Sequence, residues 1–208
     1  ILFAATTVRA DFAYAAGMLS RAMSRPTPAL LEAAERVVQY LSTTREIGIH
    51  YTRNADVQLD GSSDSDWQVR CSTSGYAFFL ANAVVAYLSK KQPTIAMGSA
   101  QAEIYAASLA GLEVTFLVGF LAQVVGHDVT PVDLGVDSKA AHDLSQDFIS
   151  NSRTRHFERR QLKIRELVER AIVHVKSIGT SDNVSDIFTK PLNKGLFEKH
   201  RRTLLNCG

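Results

Sequence analysis

Four carboxylates of this 208-residue chain stand beside runs of small or apolar residues: Asp64 in LDGSSDSDW, Glu103 in AQAEIYAASLAGLE, Asp137 in DLGVDSKAA and Asp186 in NVSDIFTKPL. The hydrophobic pattern puts Asp64 just after a first strand and Glu103 in the opening turns of a long helix. It puts Asp137 at the C-terminal end of a fourth strand and Asp186 at the start of a last helix. Strand ends and helix starts are where a mixed sheet gathers functional groups, because its crossovers leave a crevice there. Four carboxylates meeting in one crevice would repel one another unless cations neutralised them, and hard oxygen donors around an open site suit Mg²⁺. Two such ions about 3.5 to 4 Å apart stabilise the attacking and leaving oxygens of an in-line phosphoryl displacement. With 21 acids in the chain, some fall at strand ends by chance, so placement alone leaves ordinary surface acids as the competing reading.

The elements that would carry these acids follow from periodicity. PALLEAAERVVQYLSTTR (28–45) spaces Leu31, Ala34, Val37, Val38 and Leu41 as one helix face, with Thr27 as N-cap and Pro28 at the first helical position. DFAYAAGMLSRAMS reads as a preceding helix, so residues 1–53 form a helical unit. Beta structure begins near residue 57. GYAFFL and VVAYLS around ANA read as a hairpin, and Ser99 is placed to cap a helix from about 100 to 125 that buries Ala106, Leu109, Ala110, Leu117 and Leu121. A strand in PVDLGV, helices in SKAAHDLSQ and HFERRQLKIRELVER, a strand in AIVHVKSI and a last helix from NVSDIFTKPL, which Pro191 bends or ends, complete the order β-β-β-α-β-α-α-β-α.

Composition bounds the rest. An apolar fraction of 46% with 21% charged residues is that of a globular chain, and a formal net charge of +2 supplies no global basic field, so nucleic-acid binding must rest on local patches. Cys71 and Cys207 lack metal-ligand spacing. The run AFFLANAVVAYL is short and broken by Asn82, so no apolar run is expected to reach the roughly 18 to 20 residues of a membrane span. The opening ILFAATTVRADF has no initiator Met or signal-peptide pattern, which suggests a piece of a longer reading frame.

Six blocks in order resemble the end of a copia-type retrotransposon polyprotein, the last part of the reverse transcriptase followed by its ribonuclease H domain. These are LDGSSDSDW, CSTSGYAFFL, LSKKQPTIAMGSAQAEIYAA, VDSKAA, SRTRHF and NVSDIFTKPL. The resemblance implies an α/β, ribonuclease H-like fold: a mixed five-stranded sheet flanked by helices, in residues 54–208, preceded by the helical tail of the polymerase. It makes Asp64, Glu103, Asp137 and Asp186 the ligands of two Mg²⁺ ions, with Mn²⁺ as a substitute. It implies an endoribonuclease that cuts the RNA strand of RNA–DNA hybrids, with the rest of the reverse transcriptase polyprotein as partner and no membrane. The expected location is a cytoplasmic virus-like particle or the nucleus, without secretion. A decayed remnant that binds nucleic acid without cutting it is the alternative. VRADF departs from the family's Arg-Pro-Asp, AQAEI has Gln101 where an acid is common, and VDSKA has Ser138 for Asn, but no proposed ligand is lost.

Two basic stretches are candidates for phosphate contacts. Lys90, Lys91 and Gln92 lie where a strand gives way to the loop before the long helix, and Arg153 and Arg155 open a segment (152–170) with seven basic and three acidic residues. A solvated helix face is the competing reading for the second. Asp66, two residues from Asp64, shares its side of an extended chain and competes with it for the ligand role.

Overall fold

A computed structural model describes residues 1–53, 55, 57–68, 71–146 and 163–207. Its centre is a five-stranded sheet of β1 (Asp60–Asp66), β2 (Thr73–Leu80), β3 (Ala83–Lys91), β4 (Val132–Val136) and β5 (Val173–Ser177), in the order β3-β2-β1-β4-β5. The first three strands are antiparallel and β1, β4 and β5 are parallel. The β2–β3 hairpin turns on Ala81 and Asn82, both at positive φ (52° and 67°). Two left-handed residues in succession give a turn whose twist matches that of the strands, and Asn is among the few residues that accept this geometry readily.

The helices α1 (Leu2–Thr7), α2 (Ala13–Arg21) and α3 (Pro28–Thr43) precede the sheet; α4 (Ser99–Val125) crosses from β3 to β4. Between β4 and β5 lie α5 (Lys139–Gln146) and α6 (Lys163–Glu169), and α7 (Lys194–Leu205) is the last described helix. Helix α3 starts as its sequence requires, with Thr27 Oγ1 accepting from Leu30 N at 3.3 Å and Pro28 in the first turn. Helix α4 does not: it begins at Ser99 itself, after Gly98 and without a side-chain cap, which corrects the assignment of Ser99 as the capping residue.

Helix α4 covers one face of the sheet. Ile104, Ala107, Ala110, Val114 and Leu121 pack with Phe78, Leu134, Val136, Ile164, Leu167, Val173 and Val175 in the largest core cluster, and Tyr76 donates to Glu113 Oε2 at 3.0 Å. Its outer side is apolar too: Leu112, Phe116, Phe120 and Val124, four residues apart, are all more than half exposed. With both sides apolar, α4 is by length and composition long enough to cross a membrane, with a mean hydropathy of 1.8 over an 18-residue window of which half is buried in this fold. That corrects the expectation that no apolar run reaches membrane-spanning length.

The opposite face is covered by the short 3-10 turn at Val184–Phe188, by α7 and by the N-terminal segment. Ala10, Ala13, Ile47 and Ile49 join Ala77, Val84, Phe188, Leu204 and Leu205 in one apolar cluster, so residues 1–53 share a core with the sheet. A buried ionic tie reinforces the junction. Arg9 grips Asp11 through two hydrogen bonds (3.0 and 2.9 Å) and donates to Thr44 O at 3.0 Å; Tyr40, whose hydroxyl donates to Asp11 Oδ2 at 2.5 Å, accepts from Arg201 of α7 at 3.3 Å.

Candidate metal centre

Strand β1 pairs with β4 only from Asp60 to Ser62, against Asp133 to Gly135, and then runs on to Asp66 bonded to β2 alone. The two parallel strands part at this point, and the gap between them is where carboxylates from both layers meet. Asp64 lies inside β1, opposite Gly75, rather than after the strand as its turn-like neighbours had suggested. Its side chain falls on the face of the Val184–Phe188 turn, where Thr189 Oγ1 donates to its Oδ2. Glu103 enters from the other layer, one turn into α4, and accepts from the backbone amide of Ser65. Asp137 follows directly on β4, and the next residue, Ser138, accepts from Ala141 N at 3.2 Å to start α5.

Asp64, Glu103 and Asp137 each present an oxygen within 4.8 Å of the others. Asp64 is 2% and Glu103 8% exposed. Asp186 stands beside this trio and is equally buried. It belongs to the 3-10 turn Val184–Phe188 and not to the last helix, because Pro191 and a fresh N-cap at Asn193 start α7 separately. Its Oδ1 meets the Lys190 ammonium at 2.9 Å, and the same ammonium lies 3.9 Å from Asp64 Oδ2.

The turn that carries Asp186 is fastened to the sheet by polar contacts. Asn183 donates to Ser63 O at 3.1 Å, Ser185 Oγ to Ser62 O at 2.8 Å, and Ser89 Oγ to Phe188 O at 2.6 Å. Gly75 permits the approach, since a Cβ there would lie 2.6 Å from Phe188 Cβ and 2.9 Å from Thr189 Cγ2. Gly75→Ala is therefore expected to push the turn off the sheet and cost about 1–3 kcal/mol in urea unfolding, as overpacking does.

Burial, reinforced by the charge of Asp186, raises Asp64 to about 7, although Lys190 and Thr189 oppose it. Burial raises Glu103 further, to about 9, with Asp64 and Asp137 adding to the effect. Glu103 Oε2 and Ser65 Oγ are buried without a hydrogen-bond partner. An unpaired buried carboxylate oxygen facing two further carboxylates is a donor set for a hard divalent cation, which would replace the lost hydration and cancel the repulsion. The residues present thus fit such an ion.

Of the basic candidates, Lys90 and Lys91 are exposed and pair in register with Ser74 and Thr73, which face Ser65 and Asp66 of β1. They lie at the same end of the sheet as Asp64, two strands or about 10 Å away. Gln92 is different. It is 3% exposed, and its amide donates to Ser74 Oγ (2.9 Å) and Ala102 O (3.0 Å), which corrects its assignment as a nucleic-acid contact: it ties β2 to the start of α4. Gln92→Ala should destabilise the chain by about 1–3 kcal/mol, the cost of leaving buried polar groups unpaired, and thermal melting checks it. Arg153 and Arg155 lie outside the described residues. Asp66 is not in the trio; it accepts from Gln68 at 2.6 Å.

Three residues beside the site were not singled out by the sequence. Thr189 and Lys190 sit in the motif that carries Asp186, and the four-residue spacing of Asp186 and Lys190 was the available signal for an ion pair. Arg21 of α2 reaches Thr73 Oγ1 at 3.5 Å and adds a third cation to the edge of Lys90 and Lys91; nothing local to its sequence links it to β2.

A mixed sheet with an antiparallel hairpin on one side, parallel strands on the other and acids gathered where β1 and β4 part is a ribonuclease H-like fold. No family model matches the chain. It is 31% identical over 95% of its length to the retrovirus-related Pol polyprotein from transposon TNT 1-94 of Nicotiana tabacum, and 28% over 91% to that from transposon RE1 of Arabidopsis thaliana. The chain is thus similar to retrotransposon Pol polyproteins, of whose length it spans only 15% and 13% in these two cases. It is also 40% identical over 56% of its length to secreted RxLR effector protein 161 of Plasmopara viticola, covering 85% of that protein. Among solved structures, LC11-RNase H1, isolated from compost, aligns with 69% of this chain and 98% of its own at 14% identity with a TM-score of 0.49.

Proposed function

We propose that this domain hydrolyses the RNA strand of RNA–DNA hybrids during reverse transcription, using two divalent ions, Mg²⁺ or in its place Mn²⁺. The observation that carries the reading is the convergence of Asp64, Glu103 and Asp137, three carboxylates from distant parts of the chain, within 4.8 Å in a largely buried gap. Asp64, Glu103, Asp137 and Asp186 would hold the ions, which when bound supply charge neutralisation for the scissile phosphate and activation of the attacking water. Lys90, Lys91 and Arg21 lie on one end of the sheet as phosphate contacts whose contribution falls with salt. Residues 1–53 would join the domain to the preceding polymerase: Leu2, Phe3, Met23 and Leu31 leave apolar surface on the N-terminal helices. The working place on this reading is a cytoplasmic virus-like particle or the nucleus.

The test is cleavage of an end-labelled RNA strand annealed to DNA. The purified chain should cut the RNA in Mg²⁺, spare the DNA strand, and stop in EDTA. Binding of hybrid and ion without cleavage would instead identify the non-catalytic remnant.

A further inference from the structure

We propose that Lys190 is a built-in counter-ion of the acid cluster, a positioning residue whose ammonium takes a cation's place between Asp186 and Asp64 and must give way when a divalent ion binds. The inference rests on the metal-centre reading above and adds to it what the ion has to displace. Asp186 and Asp64 are 1% and 2% exposed, and the Lys190 ammonium is 2.9 Å from one and 3.9 Å from the other. Two carboxylates this deeply buried need a nearby positive charge, and a lysine four residues after Asp186, just past its turn, provides it without a diffusible ion.

The lysine is also able to leave. Its side chain is about one-third exposed, and it borders a cavity of about 370 Å³ lined by Tyr14, Met18, Tyr40, Ile187 and Phe197, so the stem has apolar surface to lie on while the ammonium moves to water. A fixed charge within reach of both oxygens competes with any ion those oxygens would ligate. It therefore keeps the ion-free site ordered and lowers the affinity for the divalent ion at once.

Titration of Mn²⁺ into the purified full chain, followed by calorimetry and by thermal melting, separates these roles. Lys190→Met should bind Mn²⁺ about tenfold more tightly than the unsubstituted chain. It should melt earlier in EDTA and recover the melting temperature of the unsubstituted chain once Mn²⁺ is saturating. Lys190→Arg, which keeps the charge, should bind close to the unsubstituted affinity; if Lys190→Met does not fold in EDTA, Lys190→Gln replaces it in the calorimetry. Equal or weaker Mn²⁺ binding by the neutral variants overturns the inference while leaving the metal centre standing. An unsubstituted chain that binds no Mn²⁺ overturns the metal-centre reading itself.

Discussion

Asp64→Asn should leave a folded protein that cleaves the RNA of a hybrid about a thousandfold or more slowly. The expected size follows from the chemistry: stabilising transition-state charge by bound cations is worth several kcal/mol, and each 1.36 kcal/mol is tenfold in rate. Asn keeps the outline of Asp and can still accept from Thr189, so the fold loses little, while a neutral amide oxygen is a poor ligand for a hard cation. Single-turnover cleavage of a labelled hybrid in saturating Mg²⁺ measures it. A rate within tenfold of the unsubstituted chain would mean that Asp64 is not a ligand.

In EDTA the chain should become less stable as pH rises from about 5 to 9, the reverse of the usual behaviour of carboxylates held by salt bridges. Unfolded carboxylates titrate near pH 4, whereas in the fold Asp64 stands at about 7 and Glu103 at about 9. Between those values the native state holds protons that the unfolded chain has released, so stability falls as pH rises. The contribution of Asp64 levels off above about 7 and that of Glu103 above about 9. Glu103→Gln, which can still accept from the Ser65 amide, removes the larger part. It should raise stability in EDTA at pH 8 by on the order of 2 kcal/mol, discounted for relaxation around a buried group, and flatten the pH profile. Saturating Mg²⁺ demands the ionised carboxylates and should reverse the slope in the unsubstituted chain. Urea unfolding from pH 5 to 9 with and without Mg²⁺ reads both effects; a flat profile in EDTA would contradict the electrostatics of the site.

The order of elements was legible because α3 carries a helical period, α4 is an apolar run far too long for a strand, and most inner strands are short apolar runs. The opening strand was harder. DGSSDSD has the composition of a turn, and it is a strand because β2 pairs with its whole length and β4 with its first half, a tertiary effect that local propensity does not contain. That is why Asp64 was placed after a strand and is found inside it. Asp186 was assigned to the last helix because the motif runs straight on. Pro191 and the cap at Asn193, whose side chain accepts from Leu196 N at 3.0 Å, divide the segment in two.

The site was legible as a set of acids, owing to the ordered blocks, but not as an arrangement. Spacing along the chain could not separate the trio within 4.8 Å from Asp186, which stands next to it behind a lysine. Gln92 was grouped with Lys90 and Lys91 because the three are consecutive. The chain turns at the end of β3 and sends the lysines outward and the glutamine inward. Arg21 and Thr73 are 52 residues apart, and only the packing of α2 beside the sheet brings them together.

The most direct test is the structure of crystals grown with Mn²⁺, read by anomalous scattering. Density is expected for at least one ion in the gap between β1 and β4, bounded by oxygens of Asp64, Glu103 and Asp137, with Lys190 moved away from Asp186. An empty gap at saturating Mn²⁺, with the Lys190–Asp186 pair intact, would contradict it.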